Sequence, residues 1–464
     1  MLDVYTFIDI IVQVNYTFNH INKSGAPLME RLAEHKLVSW KQQETRKPLL
    51  IDGARQAGKS YLIERLFGPK HFKRIHVLDF RLNKTAHALF ETSLEPEDII
   101  TNIELLLGTD INLSTDLIFF DEIGECQSAV DSLKYFAEKR SDIFLCASGS
   151  NIGLLGSFPV GKVQLLPLHP LCFEEFLMAS GENKLLEHYR AMSRLKIVHD
   201  KLWQYLLDYY FVGGMPEAVK TWYSSKNTGT NERARKTSEV HQSLISGYEK
   251  DFGKYSGSVN ALEIERVFKN IPSQLSKDTD DSVKRYLFKN VIKNKNRYQQ
   301  LRGAIDWLEK AKLVSKCYPI DSKPKTPLKS LIKENIFKLF LFDVGLLGHI
   351  LEISYKEQKQ QAMIVKGFIA ENYVQNELNA AGFSPTYSWN EGNSQIEFIL
   401  KTNDGDLLPV EVKSGKRTRA KSLQVYKDKY HPKKTVKLIG SVGGTNPDDL
   451  VWPIYYASFL ETLP

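Results

Sequence analysis

One octapeptide constrains this chain more than any other stretch. Gly53-Ala-Arg-Gln-Ala-Gly58-Lys59-Ser60 has the spacing GxxxxGK[ST], with an apolar run at residues 49–51 before it and helical spacing over 60–67 after it. Strand, glycine loop and helix in that order put backbone N–H groups and a helix N-terminus around one point, which is what a chain of phosphates requires. Lys59 can reach the terminal phosphates and Ser60 can hold Mg²⁺. Gly53, Ala54, Arg55, Gln56, Ala57, Gly58, Lys59 and Ser60 are therefore the candidate ATP-binding residues, with ATP and Mg²⁺ as expected cofactors. The bland alternative is a glycine turn in an α/β domain.

A phosphate cradle needs a carboxylate to organise the metal, and Leu117-Ile-Phe-Phe-Asp121-Glu122 supplies one. Four apolar residues predict a strand buried on both faces, with the acids at its carboxyl end, where ligands bind in parallel sheets. Asp121 is expected to orient Mg²⁺ and Glu122 to polarise the attacking water, making Lys59, Asp121 and Glu122 the candidate catalytic set and Ser60 and Asp121 the metal set. A further strand at 143–147 runs into Ser148-Gly-Ser-Asn151, where Ser148 and Asn151 are candidate sensors of the terminal phosphate; a plain Ser/Gly turn is the alternative. Residues 74–80 read as one more strand, ending near Asp79.

The stretches "KPLLIDGARQAGKSYLIERLF", "LIFFDEI", "CASGSNIGLL", "LLPLHPLCFEEFL" and "FVGGMPEAV" follow one another in the order found in a large prokaryotic group of AAA-type, archaeal-ATPase-like P-loop ATPases that carry a C-terminal DUF4143 domain. The chain resembles that group from about Arg31 to its C-terminus. The resemblance implies an α/β fold class: a P-loop NTPase parallel-sheet AAA core with helical lid, a winged-helix middle domain, and an α/β restriction-endonuclease-like C-terminal domain related to PD-(D/E)XK nucleases. The corresponding divisions are an extension at 1–28, the core at 29–180, a helical lid or linker at 181–255, the winged-helix-like part at 256–345 and the DUF4143 part at 346–464. The group has Gly-Arg before its "PL" stretch, whereas this chain has Gly161-Lys162; Lys162 is the candidate transition-state cation, with Arg140 as substitute.

Gly213-Gly-Met-Pro-Glu217 reads as a helix stop and restart, either a hinge near the nucleotide or an ordinary turn between helices. "SSKNTGTNERARKTS" has the composition of a surface loop. Helices are expected over 261–275, 281–292 and 297–314, with an apolar run at 314–320, the plan of a winged helix. Lys293, Lys295, Arg297 and Arg302 would then face phosphates of DNA or RNA, while Leu301, Ile305, Leu308 and Leu313 describe a buried stripe; a protein contact is the alternative.

In the last quarter, residues 364–378 read as an amphipathic helix carrying Glu371 and Glu377. "SQIEFIL" and "LLPVEVKS" read as two strands around the turn Asn403-Asp-Gly405, with Glu397, Glu411 and Lys413 brought together across the hairpin. Two acids and a lysine in that arrangement can hold Mg²⁺ and activate water against a phosphodiester. By the resemblance, Glu397 takes the upstream acid position, usually Asp, and Glu371 the helical one. Glu371, Glu397, Glu411 and Lys413 are the candidate nuclease residues; a fold kept for binding, with these groups solvated or paired, is the alternative. Lys416, Arg417, Arg419 and Lys421 form a basic run beside them.

With 464 residues the chain exceeds one hydrophobic core. A formal charge of +7 permits nucleic-acid contact without requiring it. The four cysteines, Cys126, Cys146, Cys172 and Cys317, lack metal-ligand spacing and suit reduced core positions, hence a cytoplasmic location. Asp3 and Asp9 interrupt the apolar opening, so neither a signal peptide nor a membrane anchor is expected. ATP is the expected partner, with DNA, RNA, a second copy or another protein as further candidates.

Overall fold

Alternation inside the first strands decides how the first half of the chain folds. In the computed structural model β1 (Leu49–Asp52), β2 (Ile75–Asp79), β3 (Leu117–Asp121), β4 (Leu145–Gly149) and β5 (Gln164–Pro167) form one parallel sheet in the order β2-β3-β4-β1-β5. Leu50, Ile118, Phe120 and Ala147 pack into a core on one face; Leu49, Ile51, Phe119 and Cys146 pack into a second core on the other. Every residue of β3 is buried, as its apolar run requires. The structure describes residues 29–463 apart from 156, 226, 257, 278–284, 361–365, 393, 415–420 and 446–448. The chain divides into two compact units between Leu168 and His169. The expected extension at 1–28 and Lys416, Arg417 and Arg419 lie outside the described residues.

The second unit begins with helices Phe173–Ser180, Asn183–Arg190, Lys196–Val212, Pro216–Ser224, Thr230–Ser256 and Ser258–Lys277; turns within the described residues 285–297 then lead into Tyr298–Lys310. Then come β6 (Val314–Ile320), β7 (Lys338–Leu341), helix Lys366–Ala380, and β8 (Thr386–Glu391), β9 (Ser394–Ile396), β10 (Phe398–Lys401), β11 (Leu407–Lys413), β12 (Thr435–Ile439), β13 (Gly444–Thr445) and β14 (Asp449–Pro453). Two mixed sheets result, β7-β6-β8-β9 and β10-β11-β12-β14-β13. The first joins strands from the middle of the chain to strands near its end: β6 pairs antiparallel with β7 and parallel with β8.

Three local expectations change. The polar stretch read as a loop over 224–238 is helical from Thr230 onward, supported by Arg235 between Glu232 and Glu239 on one face. Residues 285–292, expected in a helix, form turns, because Asn290 stands at φ +67° and Asn294 at φ +66°. The single strand read over 394–400 is two strands in two different sheets, broken at Glu397.

Gly213-Gly-Met-Pro-Glu217 is the crossing point of three segments. Gly213 stops its helix at φ +71°, and a Cβ there would lie 2.2 Å from an Asp343 carboxylate oxygen. Gly214 donates its N–H to Asp343 at 2.7 Å and accepts from the Leu171 N–H at 2.7 Å. Pro216 then opens the next helix. Among the described residues no helix is long and apolar enough to cross a membrane.

Candidate nucleotide-binding site

The loop after β1 turns through left-handed Gln56 (φ +65°) and Gly58 (φ +92°). Gly53 lies so close to β5's continuation that a Cβ would sit 2.2 Å from the Leu168 carbonyl oxygen. Lys59 is buried, its ammonium donating to the Gly53 and Ala54 carbonyls at 3.1 and 3.0 Å, and burial lowers its pKa against the pull of Glu122, Asp121 and Asp52. Arg31, which sequence reasoning left aside, steadies the loop from outside by donating to the Ala57 carbonyl at 2.8 Å.

Asp121 ends β3 two strands away from β1, and both its carboxylate oxygens are engaged. Ser60 donates to one at 2.7 Å, and the Ser148 hydroxyl at the end of β4 donates to the other. Glu122 follows at φ +50°, with Ser150 donating to it at 3.2 Å. Asn151 starts a short 3₁₀ turn at φ +65°. The structure thus brings Lys59, Ser60, Asp121, Glu122 and Ser148 together at the carboxyl edge of the sheet. Ser148 is the residue of β4 that engages Asp121.

Sequence reasoning missed Glu64 as well as Ser150. The helix begun by Lys59–Tyr61 widens into a π-helical turn over Leu62–Phe67, and Glu64 lies in it. Burial, then the Asp121 charge, pushes the Glu64 carboxyl up to about 7. A lone glutamate on an amphipathic helix carries no signal in sequence; only the fold sets it beside Asp121.

Lys162 and Arg140 lie elsewhere. Gln164 pairs with Leu49, so Lys162 precedes β5 at the amino edge, roughly 16 Å of strand from the loop side. Its ammonium bonds Glu138 at 2.7 Å, and Arg140, which precedes β4 on the same edge, bonds Glu97 and Asp142. Neither is brought to the loop.

Serine and aspartate oxygens side by side suit Mg²⁺, which is commonly held by one or two protein oxygens together with substrate phosphates. Among the described residues no group of three or more His, Cys, Asp or Glu is placed to hold a metal ion by itself.

The C-terminal acids do gather. Lys413 bonds Glu411 at 2.9 Å and approaches Glu397 at 3.8 Å, while Glu397 also accepts the Val412 N–H at 3.0 Å. Burial, with Glu371 and Glu411 adding to it against Lys413, pushes Glu397 up to about 7. Glu371 is gripped by both carboxylate oxygens by Lys338 of β7, at 2.9 and 2.7 Å. One Glu411 oxygen, Oε2, is buried without a hydrogen-bond partner. Glu377 lies apart from this group, accepting the Phe173 N–H at 2.9 Å.

An AAA domain matches residues 45–177. Two domains of unknown function match further on, DUF8612 over residues 204–357 and DUF4143 over residues 366–455. No curated protein matches the chain. Among solved structures, the Aeropyrum pernix ORC1 protein in complex with DNA is 11% identical, covering 70% of this chain and 94% of its own, with a TM-score of 0.30. The Aeropyrum pernix ORC2 protein in ADPNP-ADP complexes is 12% identical, covering 74% and 97%, at 0.31. Drosophila ORC bound to DNA is 12% identical, covering 71% and 89%, at 0.24. The loop geometry and the two terminal matches agree with one another: the chain joins an AAA domain that carries a P-loop to a C-terminal DUF4143 domain.

Proposed function

We propose that the first unit binds ATP with Mg²⁺ and hydrolyses it, and that nucleotide state governs what the second unit does. The observation that carries this reading is the double engagement of Asp121 by Ser60 and Ser148. Ser60 and Asp121 would hold Mg²⁺, which when bound offsets the negative charge of the phosphates. Gly53 to Gly58 direct backbone N–H groups at the phosphates, and Lys59 moves its ammonium from the loop carbonyls to the terminal phosphate oxygens. Glu122, oriented by Ser150, accepts the hydrogen bond of the attacking water. Asn151 follows β4 and is assigned the terminal phosphate. Lys162 and Arg140, ion-paired at the opposite edge of the sheet, take no part in this reading. The four free, buried thiols support a cytoplasmic location.

The test is ATP binding and steady phosphate release by the whole chain. Lys59→Ala should abolish tight binding, and Glu122→Gln should keep binding while lowering turnover by about 10²-fold or more. A wild type that binds no ATP refutes the proposal.

A second reading makes Glu371, Glu397, Glu411 and Lys413 a Mg²⁺-dependent phosphodiesterase centre, favoured by the unpartnered Glu411 Oε2. Lys338 on Glu371 opposes it, since an ammonium already neutralises that acid. Cleavage of DNA or RNA that is lost in Glu411→Ala and Lys413→Ala selects this reading; no cleavage by the wild type rejects it. Tight nucleotide binding with neither turnover nor cleavage would instead mark a non-catalytic switch or scaffold.

A further inference from the structure

Between the helices Ser258–Lys277 and Tyr298–Lys310, the described residues 285–297 read RYLFKNVIKNKNR, with five basic side chains and no acidic one. The path is fixed rather than helical. The Tyr286 N–H donates to the Phe337 carbonyl at 2.7 Å, and Gln274 clasps Leu287 twice, accepting its N–H and donating to its carbonyl, each at 2.7 Å. Phe288 packs among Tyr286, Tyr298 and Phe337 with ring centroids 5.6 to 5.9 Å apart, and Ile292 is buried beneath the turns. On this frame lie three Lys-Asn pairs, of which Lys289-Asn290 and Lys293-Asn294 form the turns. Asn290 and Asn294 take the left-handed conformation that turns the chain, and Lys289 and Lys293 are exposed.

Lys295 is held by Glu263, and Arg302 of the next helix by Asp306 and Glu334. Arg285, Lys289, Lys293 and Arg297 are exposed and have no ion-pair partner among the described residues. Four cations on one pinned loop repel one another, and among the described residues no carboxylate pairs with them.

We infer that residues 285–297 bind the phosphate backbone of a nucleic acid through Arg285, Lys289, Lys293 and Arg297, presented by two consecutive left-handed turns. The pinned backbone lowers the ordering entropy of such a contact, and asparagines beside the lysines add donors for phosphate oxygens. A lipid surface fits less well, because Leu287 is the only large hydrophobic of the loop that stands exposed, whereas membrane-surface segments insert several apolar side chains. The contact carries no base-reading element, so it is independent of sequence. It depends on neither the ATPase nor the phosphodiesterase reading.

The test is fluorescence anisotropy of a labelled 20-base-pair DNA duplex with the full chain, in EDTA and without nucleotide, so that failure of either activity leaves it untouched. Four phosphate contacts give a log K against log salt slope of about −3.6, an affinity loss of about 150-fold between 50 and 200 mM salt. The triple variant Lys289→Ala/Lys293→Ala/Arg297→Ala should cut the slope to about −0.9 and weaken binding at least about tenfold at 100 mM salt. The charge-matched variant Lys220→Ala/Lys356→Ala/Lys401→Ala should bind as the wild type does. Equal loss in both variants, an unchanged slope in the first, or binding by the wild type to phosphatidylserine vesicles but not to the duplex overturns the inference.

Discussion

Asp121 shows how little a single side chain does alone. Its position at the end of a fully buried strand follows from four apolar residues, but its orientation follows from two serines contributed by the P-loop and by β4. A second carboxyl, Glu377, is buried without charge compensation: it accepts one backbone N–H, its other oxygen has no partner, and burial pushes it up to about 8. Its folded pKa lies above the value of about 4.5 expected when unfolded. The neutral form is therefore favoured by folding, and the associated stability is full below about pH 4.5 and lost as pH rises through about 8. Wild-type stability should fall by up to about 1.4 kcal/mol per pH unit more steeply across that window than the stability of Glu377→Gln. Urea unfolding followed from pH 5 to pH 9 measures the difference, and parallel curves for the two proteins would contradict it.

At the level of elements, strands and loops bound by strong local signals were legible and longer-range choices were not. The order of strand, glycine loop and helix at 49–67, the buried strand before Asp121 and the Gly-Pro restart at 213–216 all follow from spacing. Glu397 could not be placed from alternation, because alternation assumes one sheet and the chain changes sheets there. The Lys-Asn turns hide inside an apolar-spaced segment, Ile292 supplying the spacing while Asn290 and Asn294 break the helix. Glu64, Ser150 and Lys338 had no motif to announce them; each matters through a neighbour distant in sequence. Gly213-Gly-Met-Pro-Glu217 was visible as a motif, yet its packing was not. A Cβ on Gly214 would lie 2.0 Å from the Leu171 carbonyl oxygen and 2.8 Å from its nitrogen. Gly214→Ala should therefore destabilise the second unit by about 3 kcal/mol. Gly229→Ala, where nothing lies within 4 Å, should stay within about 0.5 kcal/mol of wild type; chemical denaturation of both variants checks the contrast.

The whole molecule holds two compact units with separate cores. Differential scanning calorimetry should resolve two transitions, and Mg²⁺-ATP at about 100 times its dissociation constant should stabilise the transition of the first unit by about 2.7 kcal/mol. A single transition, or an equal shift of both, would count against confinement of the nucleotide effect to that unit. Within the second unit, β6 has β7 as an antiparallel neighbour and β8, more than 60 residues downstream, as its parallel one. Ending the chain after β7 would leave one side of β6 as a bare hydrogen-bonding edge, a template for aggregation. The matched regions at 204–357 and 366–455 each contribute strands to that sheet and cannot be exchanged separately between proteins without leaving an incomplete ladder. Recombination that respects this ladder must carry both together, so the heritable module of this chain is the shared sheet rather than either matched domain.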